Sequence, residues 1–350
     1  MTDIRIELHS DTQTRPTAGM RQAMADAVVG DEQKGEDPSV NRLLDMAKEL
    51  FGKEDAVFMP SGTMCNQIGL MVHCKPGDEV LSDKTAHILN LEGGGAAVFA
   101  GSLIRPIDGE RGIFSAQQLQ DNIRAVRRHT PKPRMVAIEQ TSNLGGGTIW
   151  PLETIREVGA VAKENGLAMH MDGARVLNAV VASNVSAQDF AEPFDTLWLD
   201  LSKGLGCPFG AVMLGSKDDI DAAWQWKQRM GGAMRQAGVI AAAGVYALEN
   251  HVDRMAEDHA NAKFFAERIA EIPGVEIDPS SVETNLVFFD VEKTGLTAAQ
   301  VHDRLLEHGV RIGASAGSSM RAVTHLDVSK EQLAEAADVL GTVAVEAAAA

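Results

Sequence analysis

From about residue 55 to residue 215, apolar runs of strand length alternate with longer stretches of helical period, a rhythm that few folds accommodate. The runs are "AVFMP", "EVLSD", "AAVFA", "MVAIEQT", "LAMHMD", "TLWLDL" and "AVMLGS", and a typical intervening stretch is "LETIREVGAVAKEN". Strands that alternate with helices build βαβ units, so the spacing predicts an α/β core with a mostly parallel sheet. Beyond Gly215 the pattern changes to long helix candidates, "DDIDAAWQWKQRM" and "MRQAGVIAAAGVYALENHVDRMAEDHANAKFFAERIAEI". The second is too long for one unbroken globular helix. Strand-like "NLVFFDVE", helical "TAAQVHDRLLEHGV" and strand-like "MRAVTHLDV" close the chain. The economical division is a large α/β domain with its N-terminal segment over residues 1–250, and a small α+β domain over 251–350.

Two charges stand where this architecture brings ligands. The run "LAMHMD" ends on Asp172, and the next run, "TLWLDL", leads into Ser202 and Lys203. Both therefore fall at the C-terminal ends of neighbouring strands, the edge where open α/β sheets bind their ligands. Taken singly, such an Asp caps a turn and such a Lys is solvated. A third element changes the reading: "VFMPSGTMCNQIGL" reads as strand, Ser-Gly-Thr turn and helix, so the N–H groups of Gly62 and Thr63 form an anion cradle at a helix N-terminus.

A phosphate cradle, a strand-end carboxylate and a strand-end amine together suit pyridoxal 5′-phosphate. The amine of Lys203 condenses with its aldehyde, Asp172 keeps the ring nitrogen protonated, and the cradle holds the phosphate. The small and apolar residues around Lys203 predict a desolvated, nucleophilic amine.

Other classes are disfavoured by composition. A net charge of −17 argues against nucleic acid and anionic membrane surfaces as partners. Cys65, Cys74 and Cys207 are irregularly spaced without a CxxC pair, which suggests neither disulfides nor a metal site and fits a reducing compartment. The N-terminus lacks a secretory core and there is no apolar run of membrane-spanning length, so a cytoplasmic location is expected. Glu36 and Asp37 read as helix-start residues before Pro38. His251, His259 and His302 lie on charge-rich helical stretches, where a solvated face is the default.

The motifs "HSDTQTRPT", "GEDPSVNRL", "PSGTMCNQIGL", "TAHI", "HMDGARVLNA", "LSKGLGCPFGAVMLGS", "GGAMRQAG" and "MRAVTHLDV" run in one order over nearly the whole chain. In them the sequence resembles the threonine aldolase family of fold-type-I pyridoxal-phosphate enzymes, whose large domain is aspartate aminotransferase-like. The resemblance implies that Lys203 carries the cofactor, Asp172 pairs with the ring nitrogen, His87 stacks on the ring and relays protons, and Arg175 faces the ring hydroxyl and the substrate. It places Gly62, Thr63, Ser202 and Arg235 at the phosphate or cofactor, and Ser10 and Arg321 on the substrate α-carboxylate.

The same resemblance implies a lyase that cleaves L-threonine, L-allo-threonine or similar L-β-hydroxy-α-amino acids to glycine and an aldehyde. It also implies a homo-oligomer, a dimer at minimum and commonly a tetramer. Departures cluster at contact positions. His9 replaces an arginine, Lys34 a tyrosine, "AHILNLE" a more aromatic segment, and "EQTSN" puts Ser142 where the family has a second histidine. Ser142 is thus expected on the β side of the substrate. Two alternatives stand beside this reading. One is an aldolase, β-lyase or dehydratase acting on a bulkier or acidic substrate such as phenylserine or 3-hydroxyaspartate. The other is a non-catalytic module that binds a phosphate ligand.

Overall fold

A computed structural model describes residues 4–315 and 317–349. Among them the chain forms β1 (Ile6–Leu8), β2 (Asp55–Met59), β3 (Asp78–Asp83), β4 (Leu103–Ile107), β5 (Lys132–Glu139), β6 (Ala168–Asp172), β7 (Thr196–Asp200), β8 (Ala211–Gly215), β9 (Leu286–Asp290), β10 (Val310–Ala314) and β11 (Ser319–Val323). The chain divides into two units, Pro16–Val252 and Met1–Arg15 with Asp253–Ala350.

The larger unit carries a seven-stranded sheet of order β2-β8-β7-β6-β5-β3-β4. Its pairings are parallel except that β8 runs against both β7 and β2. Strands buried on both faces read as unbroken apolar runs, and β7 and β8 are buried at every position. Six of the seven apolar runs are these strands. The exception is "AAVFA": Ala96–Ala100 is a single π-helical turn, ended by Gly101 in the left-handed region at φ 62°. Apolarity over five residues does not separate a strand from a helical turn, and the preceding Gly93 and Gly94, both at positive φ, reset the chain direction. The strand comes later, at β4, a sheet edge where Pro106 costs no central ladder bond.

Asp37 caps the helix Pro38–Phe51 by accepting from the N–H groups of Ser39 and Val40, with proline in the first turn as expected. The long helical stretch breaks into Gly238–Asn250 and Met255–Ala270.

The smaller unit is a four-stranded sheet of order β1-β10-β11-β9 packed with helices Met255–Ala270, Ala298–Glu307 and Lys330–Ala349. Its core includes Ile6, Leu8, Phe265, Val287, Leu305, Ile312 and Leu340. The sequence reading grouped the N-terminal segment with the large domain. Residues 1–15 instead join the C-terminal unit, because β1 pairs in parallel with β10, Ile6 opposite Val310.

Candidate active site

The C-terminal ends of three adjacent strands in the larger unit each present a carboxylate: Glu139 on β5, Asp172 on β6 and Asp200 on β7. Glu139 and Asp172 are register partners, so their side chains leave the sheet on the same face. Both are buried. Burial, then the Asp172 charge, pushes Glu139 up to about 8, and its Oε2 has no hydrogen-bond partner. Burial also raises Asp172, opposed by His87, by the Asn66 hydrogen bond and by Lys203. Asp172 Oδ1 accepts from Ala174 N at 3.1 Å, which fixes the carboxylate at the strand end.

Lys203 follows β7 in a tight turn and holds φ 52°, the left-handed region that a residue with a Cβ enters at a cost of about 1–3 kcal/mol. The turn aims the side chain back along the strand end. Its Nζ lies 2.7 Å from Asp200 Oδ2 and 5.8 Å from the Trp198 ring centroid. The sequence reading predicted small and apolar surroundings; the structure adds a carboxylate partner three residues earlier. Asp200 Oδ1 also accepts from Ser202 N at 3.0 Å and Ser202 Oγ at 2.8 Å, so Ser202 is held within the same turn.

His87 opens the short helix His87–Asn90, and its Nδ1 lies 2.9 Å from Glu92 Oε1. That hydrogen bond, working against burial, raises the imidazole above its ordinary value. Glu92 is buried and is also bound by Asn66 and Gln67. Donor atoms of His87, Glu92 and Asp172 lie within 4.8 Å of one another. The Asn66 amide N–H groups fill part of this space, and hydrogen bonding accounts for the convergence without a metal.

The helix Gly62–His73 starts beside β2, and the side chain of its N-cap, Ser61, accepts from Met64 N. Thr63 is exposed and Gly62 half-buried, so the first N–H groups face outward. A Cβ on Gly62 would stand 2.1 Å from Trp198 Cη2, so glycine alone permits this close approach of helix to strand. A helix N-terminus with outward-facing N–H groups, a constrained lysine and a buried carboxylate fit pyridoxal phosphate. Lys203 would hold its aldehyde carbon, Asp172 its ring nitrogen, and Gly62, Thr63 and Ser202 its phosphate.

Arg175 is buried, with its backbone N–H bonded to Gln140 O at 3.0 Å, and its charge acts on Glu139. Ser142 is buried in a tight loop, where a Cβ on Gly112 or Gly145 would lie 1.8 or 2.4 Å from its Oγ. Arg235 is exposed and paired with Asp31 at 2.9 Å. Ser10 and Arg321 belong to the smaller unit. There the Ser10 side chain accepts from Thr12 N, and Arg321 Nη2 donates to His9 O at 3.3 Å. His251, expected on a solvated face, is instead buried with Nδ1 2.8 Å from Leu205 O, two residues beyond the lysine.

Sequence reasoning passed over Asn66, Glu92, Glu139, Trp198 and Asp200. One signal was present: Asn66 and Gln67 are adjacent amides on a helix buried from Cys65 to Met71, and buried amides require partners.

A family model described as beta-eliminating lyase matches residues 7–293. The low specificity L-threonine aldolase of Escherichia coli strain K12 is 41% identical over 333 residues, 95% of this chain and 97% of that protein. Low-specificity L-threonine aldolase 1 of Arabidopsis thaliana is 36% identical over 329 residues, 93% of this chain and 92% of that protein. The solved structure of Leishmania major threonine aldolase aligns with a TM-score of 0.82 at 20% identity, covering 97% of this chain and 99% of that one.

Proposed function

The chain belongs to the beta-eliminating lyase family, and from that premise we propose that it is a pyridoxal-phosphate-dependent aldolase, cleaving L-β-hydroxy-α-amino acids of the threonine and allo-threonine type to glycine and an aldehyde. The observation that carries the reading is Lys203, held in a left-handed turn against Asp200 at the sheet edge that also bears buried Asp172.

Pyridoxal phosphate, when bound, supplies an electron-withdrawing ring that accepts the electron pair of the breaking Cα–Cβ bond. The residues do the rest. Asp172, buried and fixed by Ala174 N and Asn66, pairs with the ring nitrogen. Lys203 would hold the aldehyde carbon through its side-chain amine. Gly62 and Thr63, with Ser202, hold the phosphate, and Arg235 serves the same end of the cofactor. Ser10 and Arg321 hold the substrate α-carboxylate, for which the planar guanidinium is suited, and Arg175 faces the substrate beside the ring.

His87, oriented by Glu92, takes the β-hydroxyl proton as the bond breaks. Ser142, hemmed in by Gly112 and Gly145, brings no second imidazole. This favours weak discrimination between threonine diastereomers and acceptance of larger or acidic β substituents, phenylserine and 3-hydroxyaspartate included.

The proposed setting is cytoplasmic, and the proposed assembly a homo-oligomer with a dimer at minimum and a tetramer as the full form. Exposed Leu91, Val98, Phe99 and Leu103, close in sequence and just beyond His87, support an apolar subunit contact. Among the described residues, no helix is long and apolar enough to cross a membrane.

The test is product analysis with purified enzyme on L-threonine, L-allo-threonine, L-phenylserine and L-3-hydroxyaspartate. Glycine plus aldehyde is expected, and Lys203→Ala should abolish both turnover and the borohydride-reducible cofactor linkage. Ammonia plus an oxo acid as the products would replace the aldolase with a dehydratase or β-lyase.

A further inference from the structure

We propose that Asn66 is a positioning residue of this site: one side-chain amide, locked in a single orientation, holds the Asp172 and Glu92 carboxylates side by side while His87 leans on Glu92. The inference rests on the reading above, in which Asp172 and His87 flank the cofactor.

The lock follows from hydrogen-bond chemistry. The indole N–H of Trp198 only donates, and Trp198 Nε1 lies 2.7 Å from the terminal amide atom assigned as Asn66 Oδ1. That atom must be the oxygen. A second nitrogen faces it, His170 Nε2 at 3.2 Å. Burial holds the His170 ring neutral, pushed down to about 3, so it has one donor and one acceptor. Nε2 donates to Asn66, and Nδ1 accepts from the Thr196 hydroxyl at 2.8 Å. His73 Nε2 donates in turn to Thr196 Oγ1 at 2.9 Å. The relay from His73 through Thr196 and His170, together with Trp198, leaves the amide one allowed orientation.

Its two N–H groups then have one partner each, Glu92 Oε1 at 2.7 Å and Asp172 Oδ2 at 2.7 Å. Every donor and acceptor position of the amide is used. Two buried carboxylates this close ordinarily share a proton, because both cannot remain charged in a dry site. A neutral double donor between them gives each carboxylate a hydrogen bond from the same rigid group. The charged groups acting on Asp172 are His87 and Lys203, which favour its ionised form, and Glu92, which opposes it, with Glu139 beside it on β5. The other carboxylate oxygens are also bound, Asp172 Oδ1 by Ala174 N and Glu92 Oε2 by Gln67 Nε2. Alanine at position 66 would remove the bridge. Aspartate would keep its shape and reverse its polarity toward both carboxylates.

The experiment therefore compares wild type, Asn66→Asp and Trp198→Phe as purified holoenzymes. Three readouts are taken: kcat and KM from pH 5.5 to 9, the cofactor dissociation constant, and the His87 titration midpoint by ring-carbon NMR. In Asn66→Asp, kcat at pH 8 should fall about 10- to 100-fold with KM nearly unchanged. It should recover as the pH falls, because a protonated carboxyl at position 66 donates again. Cofactor should dissociate about tenfold more readily, and the added negative charge should move the His87 midpoint up by about one unit.

Trp198→Phe keeps a ring against Gly62 and removes one of the two donors that fix the amide oxygen, leaving His170 alone. It should lower kcat and weaken cofactor binding at smaller size, without the recovery at low pH that a carboxyl at position 66 would bring, and it serves as the test if Asn66→Asp does not fold. Asn66→Asp with a kcat–pH profile parallel to wild type and an unchanged His87 titration, or either folded variant with wild-type kcat and cofactor binding, overturns the assignment. Wild type that makes no glycine overturns the proposed reaction instead, and the His87 midpoint still decides the role of Asn66.

Discussion

The interaction most exposed to a single substitution lies outside the chemistry, in the Lys227–Glu32 ion pair. Lys227, on the helix Lys217–Arg229, bonds Glu32 with both side chains almost wholly buried, and its Nζ sits 4.3 Å from the Trp224 ring centroid. Glu32 Oε2 also accepts from Met234 N at 2.9 Å, and Glu32 N donates to Arg235 O at 2.9 Å. The pair therefore ties the "DEQKGEDP" loop to the "GGAMRQAG" loop that carries Arg235.

In Lys227→Met the apolar stem is conserved but the charge is lost, leaving a buried carboxylate with one backbone donor. Breaking a buried pair in this way costs about 3–5 kcal/mol, and the surviving Met234 bond places the expected value near the lower end. For a unit of roughly 240 residues, an unfolding entropy of about 0.5 kcal/mol/K converts this to a fall in Tm of about 6–8 °C. Calorimetry at fixed cofactor concentration measures it. The deficit should narrow at acidic pH, where the orphaned carboxyl can take up a proton. Lys227→Met/Glu32→Gln, which removes both charges and keeps an acceptor for Met234 N, should recover at least half of the loss. A single-variant Tm within 2 °C of wild type, or a double variant no better than the single, would show that the pair is not dry and would refute the reasoning.

Gly62→Ala places a methyl group 2.1 Å from Trp198. It should cost about 1–3 kcal/mol by overpacking and weaken cofactor binding; a variant with wild-type melting and wild-type cofactor titration would count against the cradle. Gly341→Ala makes the opposite case, since its nearest neighbour would be Ile272 at 3.9 Å within a helix. It should stabilise by about 0.5–1 kcal/mol, and a lowered Tm would contradict the packing. Glu92→Gln removes the main cause of the raised His87 value. The stability that His87 gains from this pairing is complete below about pH 6.5 and fades as pH rises through its higher folded value. Wild type should therefore lose its margin over Glu92→Gln with rising pH, and the His87 midpoint should fall in the variant. A midpoint that stays in place would leave Glu92 without that role.

The parts of the molecule legible in the sequence were those in which local pattern and tertiary burial agree. Strands β5, β6, β7 and β8 are continuous apolar runs because both their faces are covered. The strand-end places of Asp172 and of the Lys203 turn were readable because the apolar runs before them stop there. Strands β1, β4 and β10 escaped notice for physical reasons: β1 is three residues long, β4 is a half-exposed edge containing Pro106, and β10 is interrupted by Arg311 and Gly313. Asn66, Glu92 and Glu139 escaped for another. A carboxylate or amide looks the same in sequence whether it faces solvent or another buried acid, and 26 positions separate Asn66 from Glu92. Only the folded chain decides which acids meet.

The pairing of β1 with β10 also bears on the order in which the chain can be made. Ile6 leaves the ribosome roughly 300 residues ahead of Val310. At about 5–20 residues per second of synthesis, the first strand waits on the order of 15–60 s for its neighbour. Throughout that interval Ile6 and Leu8, which end fully buried, have no native place to go. Residues 16–252 can complete their own sheet meanwhile. The nascent chain thus carries an unpaired apolar strand behind which a finished body accumulates, and a chaperone that shields short apolar segments should raise the yield of this protein more than one that acts on its large sheet.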